Sequence, residues 1–452
     1  MKFLLGIICF LLSFHLAFSQ HLSKNDAIAD LTFLRDNIEK YNPALKIYKP
    51  DFHVASTRII DAIYQDEISL NAYFTYISQI CALSDEGHFA LGNWSDTVHN
   101  GIPQNKFKYL PIAIKVIDND LYVWRDYSLK PIMNQGDKII SINGLNAEDI
   151  LNRLRLATPS DGEIITYADQ IINLSFPWIY YFYIDQKDHF QIKYQSSPKE
   201  PILETKIKAL TREEQVSSYK ALNLPSKPQE ESIKDFYELH FKKGHALLKL
   251  KSFDIQLIKK YGIHSRDFYQ EIFTSLENHH INSLIIDLRD NTGGRNEFAD
   301  DMVPYIMKGT TNDPFLKKSI SWSGKERVYK IPKKSSHAFT GIIYVLVNGR
   351  TFSAGSTLAR YLKEYGDAIV IGTETGTRYE GFAAGSKEYI SLPHSSINIG
   401  IPRFHLLFPV SQKQTTSNRG LLPDYPIKAS IQDLIDEKDL DYEQALELIS
   451  QE

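Results

Sequence analysis

The chain has 452 residues, 43% of them apolar and 23% charged, with 51 Lys and Arg against 55 Asp and Glu for a net charge of −4. That length exceeds what one hydrophobic core organises, so two or three domains are expected, and the composition excludes fibrous and disordered classes. With no basic stripe to meet a phosphate backbone, nucleic acid is excluded as a partner.

Met1-Lys2 is followed by an apolar run from Phe3 to Phe14 and then by Ala17-Phe18-Ser19. The run is too short to cross a hydrocarbon core of ~30 Å as a helix, and small residues precede Gln20 as a signal peptidase requires. Residues 1–19 therefore form an expected signal peptide, cleaved at Ser19/Gln20, and the mature chain is exported to the periplasm or medium with no stable membrane anchor. Of two cysteines, Cys9 leaves with that segment and Cys81 remains. No internal disulfide follows, and stability must come from core burial.

Between Ser23 and Leu83 apolar residues recur at helical spacing, as in Ile28, Leu31, Leu34 and Ile38. This gives an N-terminal helical domain, 20–105, carrying Ser84-Asp85-Glu86-Gly87-His88 just past its helices. From Phe107 the pattern alternates, with strands over 110–116 and 121–124. Gln135-Gly136-Asp137 then leads through an apolar strand to Asn143-Gly144 and a helix over 147–156, an order that resembles PDZ domains. This β-rich module is placed at 106–206. Residues 207–232, rich in Lys, Glu, Ser and Pro, read as a linker. Strands and helices alternate afterwards: strands at 245–250, 283–288, 341–347 and 368–372, helices at 265–278, 297–307 and 354–365. Near-continuous apolar strands between helices imply a sheet buried on both faces, an α/β core over 233–430. A C-terminal helix is expected within 431–452.

Two segments of that core carry chemistry. In Val347-Asn348-Gly349-Arg350-Thr351-Phe352-Ser353-Ala354 a buried strand ends and Ser353 stands where the next helix begins. The N–H groups of a first helical turn have no intrahelical partners and suit a developing oxyanion. Serine is equally a favoured helix N-cap, so this segment alone supports either role. In Asp287-Leu288-Arg289-Asp290-Asn291-Thr292-Gly293-Gly294 a strand feeds a turn whose glycines let backbone approach a ligand closely. A tight strand-to-helix turn is the alternative.

Together, and in this order, the helical start, the histidine segment 83–91, the PDZ-like module, the Asp-Leu-Arg-x-Asn-x-Gly-Gly turn, the Asn-Gly-x-Thr-x-Ser-Ala motif and Gly420-Leu421-Leu422-Pro423-Asp424 resemble the C-terminal processing and tricorn-like serine peptidases, whose core is crotonase-like. The resemblance implies a peptidase with Ser353 as nucleophile and an oxyanion hole built from the N–H groups of Ala354 and of Gly293 or Gly294. One branch of the family places a lysine base about twenty-five residues after the serine. That position is Arg378 here, and a guanidinium with a pKa above ~12 cannot accept the proton; Arg378 is expected to hold a substrate carboxylate instead. The tricorn-like branch uses a histidine ahead of the PDZ-like domain, which His88 matches, making it the expected general base. No glutamate precedes Gly420, so His88 is expected to be oriented by Asp85, Glu374 or a backbone carbonyl.

His279-His280 has no completing ligands and reads as a solvated helix end, so neither a metal nor a cofactor is expected. The leading expectation is an exported endopeptidase or C-terminal processing peptidase acting on peptide or protein substrates. The alternative is a catalytically inactive protein binding a peptide or hydrophobic ligand on the same scaffold.

Overall fold

The computed structural model describes residues 21–91, 107–221 and 232–452; the expected signal peptide lies outside them. Helix α1 (Lys24–Tyr41) opens where the Ser23 hydroxyl accepts the Asp26 N–H at 3.1 Å. With α2 (Phe52–Asp61) and α3 (Leu70–Ala82) it buries Leu31, Leu34, Ile38, Phe52, Ile60, Ile77 and Ile80 in one cluster. Cys81 lies in it as a free thiol whose pKa is pushed up by burial. Among the described residues no helix is long and apolar enough to cross a membrane.

The second module is an antiparallel sheet of β1 (Ile112–Ile117), β2 (Asp120–Asp126) and β3 (Lys138–Ile142), followed by helices α4 (Ala147–Leu156) and α5 (Ile165–Tyr183) and strands β4 (His189–Gln195) and β5 (Leu203–Lys208). Its strand order is β5-β4-β3-β2-β1. Leu151, Leu154, Ile172 and Phe176 of the helices pack on Ile114, Val123, Ile139 and Ile192 of the sheet. Helix α5 is kinked at Ser175, two residues before Pro177, whose ring and missing N–H interrupt the ladder. The expected linker starts too early. Residues 207–221 finish β5, pair Leu210–Thr211 with Lys108–Tyr109, and form α6 (Arg212–Ala221), with Ile207 and Ala209 buried in the module's core. Lys208, Arg212, Glu213 and Ser217, polar residues of that stretch, are exposed on these elements, and residues 222–231 lie outside the described residues.

The core begins with β6 (Tyr237–Lys242), β7 (His245–Leu250), α7 (Ser265–Asn278) and β8 (Ser283–Asp287). After them come β9 (Lys317–Ser321), β10 (Glu326–Tyr329), β11 (Ile342–Val347), α8 (Ala354–Gly366) and β12 (Ile369–Gly372). The chain closes with β13 (Gly381–Ser391), β14 (Asn398–Leu407), β15 (Tyr425–Pro426) and α9 (Leu440–Ser450). The expected helix over 297–307 is instead two short turns, Glu297–Asp300 and Val303–Ile306, with Pro304 opening the second.

The main sheet runs β6-β7-β8-β11-β12-β15, parallel except between β6 and β7. On one face Leu284, Ile286, Val345 and Val370 pack under α7 and α8. On the other, Ile285, Tyr344, Leu346 and Ile371 meet Ala445 of α9. Burial on both faces is why these strands are continuously apolar. The loops leaving β8, β11 and β12 share the carboxyl edge of the sheet, where open α/β sheets place ligands. A second sheet, β10-β9-β14-β13, carries Ile390, Ile399 and Ile401 into the cluster of the N-terminal helices. Ala90–Leu91 pairs with Gly400 and Ile399 of β14, so the segment containing His88 is stitched to the core.

Candidate active site

Thr351 fixes the loop between β11 and α8. Its hydroxyl donates to the Leu288 carbonyl at 2.8 Å and accepts the Asn348 N–H at 3.0 Å. The Phe352 N–H reaches the Asn291 carbonyl at 2.9 Å, and the Ser353 N–H donates to Thr377 Oγ1 at 2.7 Å. Between these restraints Ser353 is held at φ +54°, ψ −124°, a conformation that L side chains rarely adopt. It occupies the N-cap position of α8, yet its side chain makes no capping hydrogen bond. The ordinary structural use of serine at a helix start is therefore absent.

The turn after β8 presses against this loop. A Cβ on Gly293, at φ +87°, would lie 2.8 Å from Ser353 Cβ and 2.7 Å from the Ala354 nitrogen, so only glycine fits. The Gly293 N–H is committed to Asn291 Oδ1 at 2.8 Å. Asn291 is itself buried and tied through Nδ2 to the Leu250 carbonyl at 2.8 Å. Of the two candidate glycines, the N–H of Gly294 is the one without this commitment.

His88 enters from the N-terminal module. Its ring is stacked between Phe352 and Phe382, with centroids 4.4 and 5.1 Å away, and Tyr167 of α5 covers the far face of Phe352 at 4.4 Å. Both ring nitrogens are buried without a hydrogen-bond partner, so neither reaches Ser353 in this arrangement. Burial first, and then the charge of Lys387, push the imidazole pKa down to about 3, which keeps the ring neutral around pH 7.

Arg378 does not face a substrate. Its side chain is fully buried, with Nη1 3.3 Å from Glu86 Oε1 and Nη2 donating to the Asp85 carbonyl at 2.7 Å. The guanidinium lies 3.8 Å above the Tyr48 ring, and the Arg378 N–H donates to Asp161 Oδ2 at 3.0 Å. An arginine so enclosed is a structural cation, which corrects the expectation of a carboxylate clamp. The expected orienters of His88 are also elsewhere. Glu374 forms a two-pronged pair with Arg419 at 2.8 and 2.6 Å and accepts the Gly420 N–H. Asp85 contributes its carbonyl to Arg378, not its carboxylate to the imidazole.

The carboxylates beside His88 are Glu86 and Asp161, with one ligand atom of each lying within 4.8 Å of the others. Glu86 accepts the Ala383 N–H at 2.9 Å, and Asp161 Oδ1 accepts the Gly87 N–H at 2.6 Å. Burial raises the pKa of both, and Arg378 opposes it. Glu86 was visible in the histidine segment; nothing in the turn Ser160-Asp161-Gly162 marks Asp161. His279 ends α7 stacked on Phe241 at 4.0 Å, its Nδ1 bonded to the Ser275 carbonyl. A cavity of about 580 Å³ opens beside Asp85 and Gly162, lined by Leu83, Leu156, Ile164 and Ile165; Ser353 and His88 do not line it.

Residues 244–427 match the sequence profile of peptidase family S41. No curated protein matches the chain in sequence. Among solved structures, mature CPAF is 12% identical and aligns over 94% of this chain and 96% of its own, with a TM-score of 0.61. Mature CPAF complexed with lactacystin is 12% identical over 95% and 97%, at 0.60. The photosystem II D1 C-terminal processing protease is 13% identical over 89% and 93%, at 0.42. The two CPAF likenesses span the whole described architecture and are likenesses of fold. The profile match falls on the very strands and loops that carry Gly293, Ser353 and Arg378: residues 244–427 are similar to peptidase family S41 over these elements, and the chain is a serine peptidase, acting on peptide or protein substrates.

Proposed function

We propose that the chain is an exported endopeptidase or C-terminal processing peptidase that works through a Ser353 acyl-enzyme with His88 as general base. The observation that carries this reading is the uncapped, left-handed Ser353 at the sheet's carboxyl edge, with the Ala354 N–H beside it and the Gly293-Gly294 turn packed against its Cβ. Ser353 Oγ attacks the substrate carbonyl, and the N–H groups of Ala354 and Gly294 receive the charge that develops on its oxygen. His88 takes the hydroxyl proton and returns it to the leaving amine, after which water repeats the sequence on the ester. Since Phe352 covers His88, proton transfer requires the ring or Phe352 to move. The strand–Asn143-Gly144–helix order supports a PDZ-like identity for the second module, and the layered parallel sheet supports a crotonase-like core.

One observation favours the second reading, a non-catalytic binding protein: His88 rests unpaired in an aromatic stack with its pKa held at about 3. A fluorophosphonate probe on the mature protein separates the two. Labelling is expected in the wild type and lost by at least about 10³-fold in Ser353→Ala. A folded wild type that stays unlabelled would favour the binding reading, or a site that a partner must assemble.

A further inference from the structure

Two buried nitrogens of one imidazole without partners are an exception that calls for an explanation. The space around His88 holds several charged groups. Lys387 of β13 acts against an imidazolium, and Glu380 acts on Asp161 from the loop before β13. Glu86 and Asp161 stand within 4.8 Å of the ring and of each other, and Arg378 pairs with one and bonds the other through its N–H. Two carboxylates thus face a single guanidinium, which leaves a place for one further positive charge. A metal is a poor occupant, because Arg378 already stands in the cluster as its cation.

We propose that Asp161, from the turn between α4 and α5, is the positioning residue for His88, accepting the N–H of the ring nitrogen that does not face Ser353. The proposal rests on the reading of Ser353 and His88 given above. Both carboxylates are fully buried with both oxygens bonded, but Glu86 is the less suited, since one of its oxygens is paired with the Arg378 guanidinium, whereas Asp161 accepts only the backbone N–H groups of Gly87 and Arg378. Asp161 Oδ1 lies at the Gly87 backbone, one residue from the ring, and would be 3.2 Å from a Cβ at that glycine. During acylation the Ser353 proton moves to one imidazole nitrogen while the other nitrogen keeps its proton and donates it in a hydrogen bond to Asp161. The carboxylate stays ionised, and the imidazolium supplies the missing positive charge. Burial pushes the resting imidazole towards too weak a base, and closing this hydrogen bond opposes that. The same turn also holds the Gly162 N–H at 3.2 Å from the Asp85 carbonyl, so it is braced against the histidine segment.

The test follows fluorophosphonate labelling rates against pH in the wild type, Asp161→Asn, Asp161→Ser, His88→Ala and the His88→Ala/Asp161→Asn double variant, each checked for folding by near-UV circular dichroism. Asp161→Ser is included because its hydroxyl still accepts one of the two backbone N–H groups. Both Asp161 variants are expected to lose at least about 100-fold in rate and to move the midpoint of the pH profile, with no added loss in the His88→Ala background. A wild-type rate in the Asp161 variants while His88→Ala is impaired would overturn the role of Asp161 alone, as would an equal loss in both backgrounds. A wild-type rate in His88→Ala, or an unlabelled wild type, would remove the reading of the base or nucleophile and this inference with it.

Discussion

Ser353 is held at φ +54° by bonds on both sides, from Phe352 to Asn291 and from its own N–H to Thr377. A non-glycine residue in such a region costs about 1–3 kcal/mol, and the surrounding hydrogen bonds over-determine it. Replacing it separates chemistry from strain. Ser353→Ala and Ser353→Gly should both abolish labelling, but the glycine variant should be more stable than the alanine variant by about 1 kcal/mol, read as a higher urea midpoint. Equal midpoints would mean the backbone there is unstrained. Much of this locality was legible in the sequence, since strand, turn, serine and helix are contiguous and each constrains its neighbour. Arg378 was not. Its burial depends on Glu86, Asp161 and Tyr48, contributed by two other modules, and no spacing along the chain encodes a contact of that range.

The elements hold the site through a second arginine. Arg289, at the start of the glycine turn, donates to Asp287 at 2.9 and 2.7 Å, to Asp439 at 2.5 and 3.0 Å and to Asp441 at 3.0 Å. Through it the N-terminal end of α9 is fastened to the loop that presents Gly293 and Gly294. Arg289→Ala leaves three carboxylates facing one another. Because Asp439 is 42% exposed, the expected cost is modest, about 2 kcal/mol. Labelling should fall further than stability does, as the glycine turn loses its brace; a loss of stability with unchanged labelling would show that α9 does not position it. The strands and helices on either side were readable from apolar runs, because burial on one or both faces writes a pattern. The anchoring role of α9 was not, because its apolar residues announce a helix and not the sheet face that receives them.

At the scale of the whole molecule the modules share buried titratable groups. His405 of β14 bonds Tyr48 at 2.9 Å, and burial, then the charge of Arg378, push its pKa down to about 4. The unfolded chain binds one more proton at this residue between pH ~6.5 and ~4. Its contribution is therefore complete above pH ~6.5 and is lost as the pH falls through that window, by about 3 kcal/mol in all. Glu86 and Asp161 act with the opposite sign, since their raised pKa values favour the folded state at lower pH. The contrast with His405→Asn isolates the histidine: the urea midpoint of the variant should fall less steeply than that of the wild type from pH 7 to 4.5. Parallel slopes would assign the protons to other groups.

The histidine segment, the Asp161 turn and the serine loop come from separate modules and meet around one arginine. A ribosome delivers them in that order, which on the proposed roles of His88 and Ser353 puts the base first and the nucleophile much later. A chain still emerging thus has an imidazole without its serine, and a misdocked chain has a serine without its imidazole. With those proposed roles, hydrolytic competence would arrive only with complete assembly, a safeguard against cutting neighbours while the protein is being made.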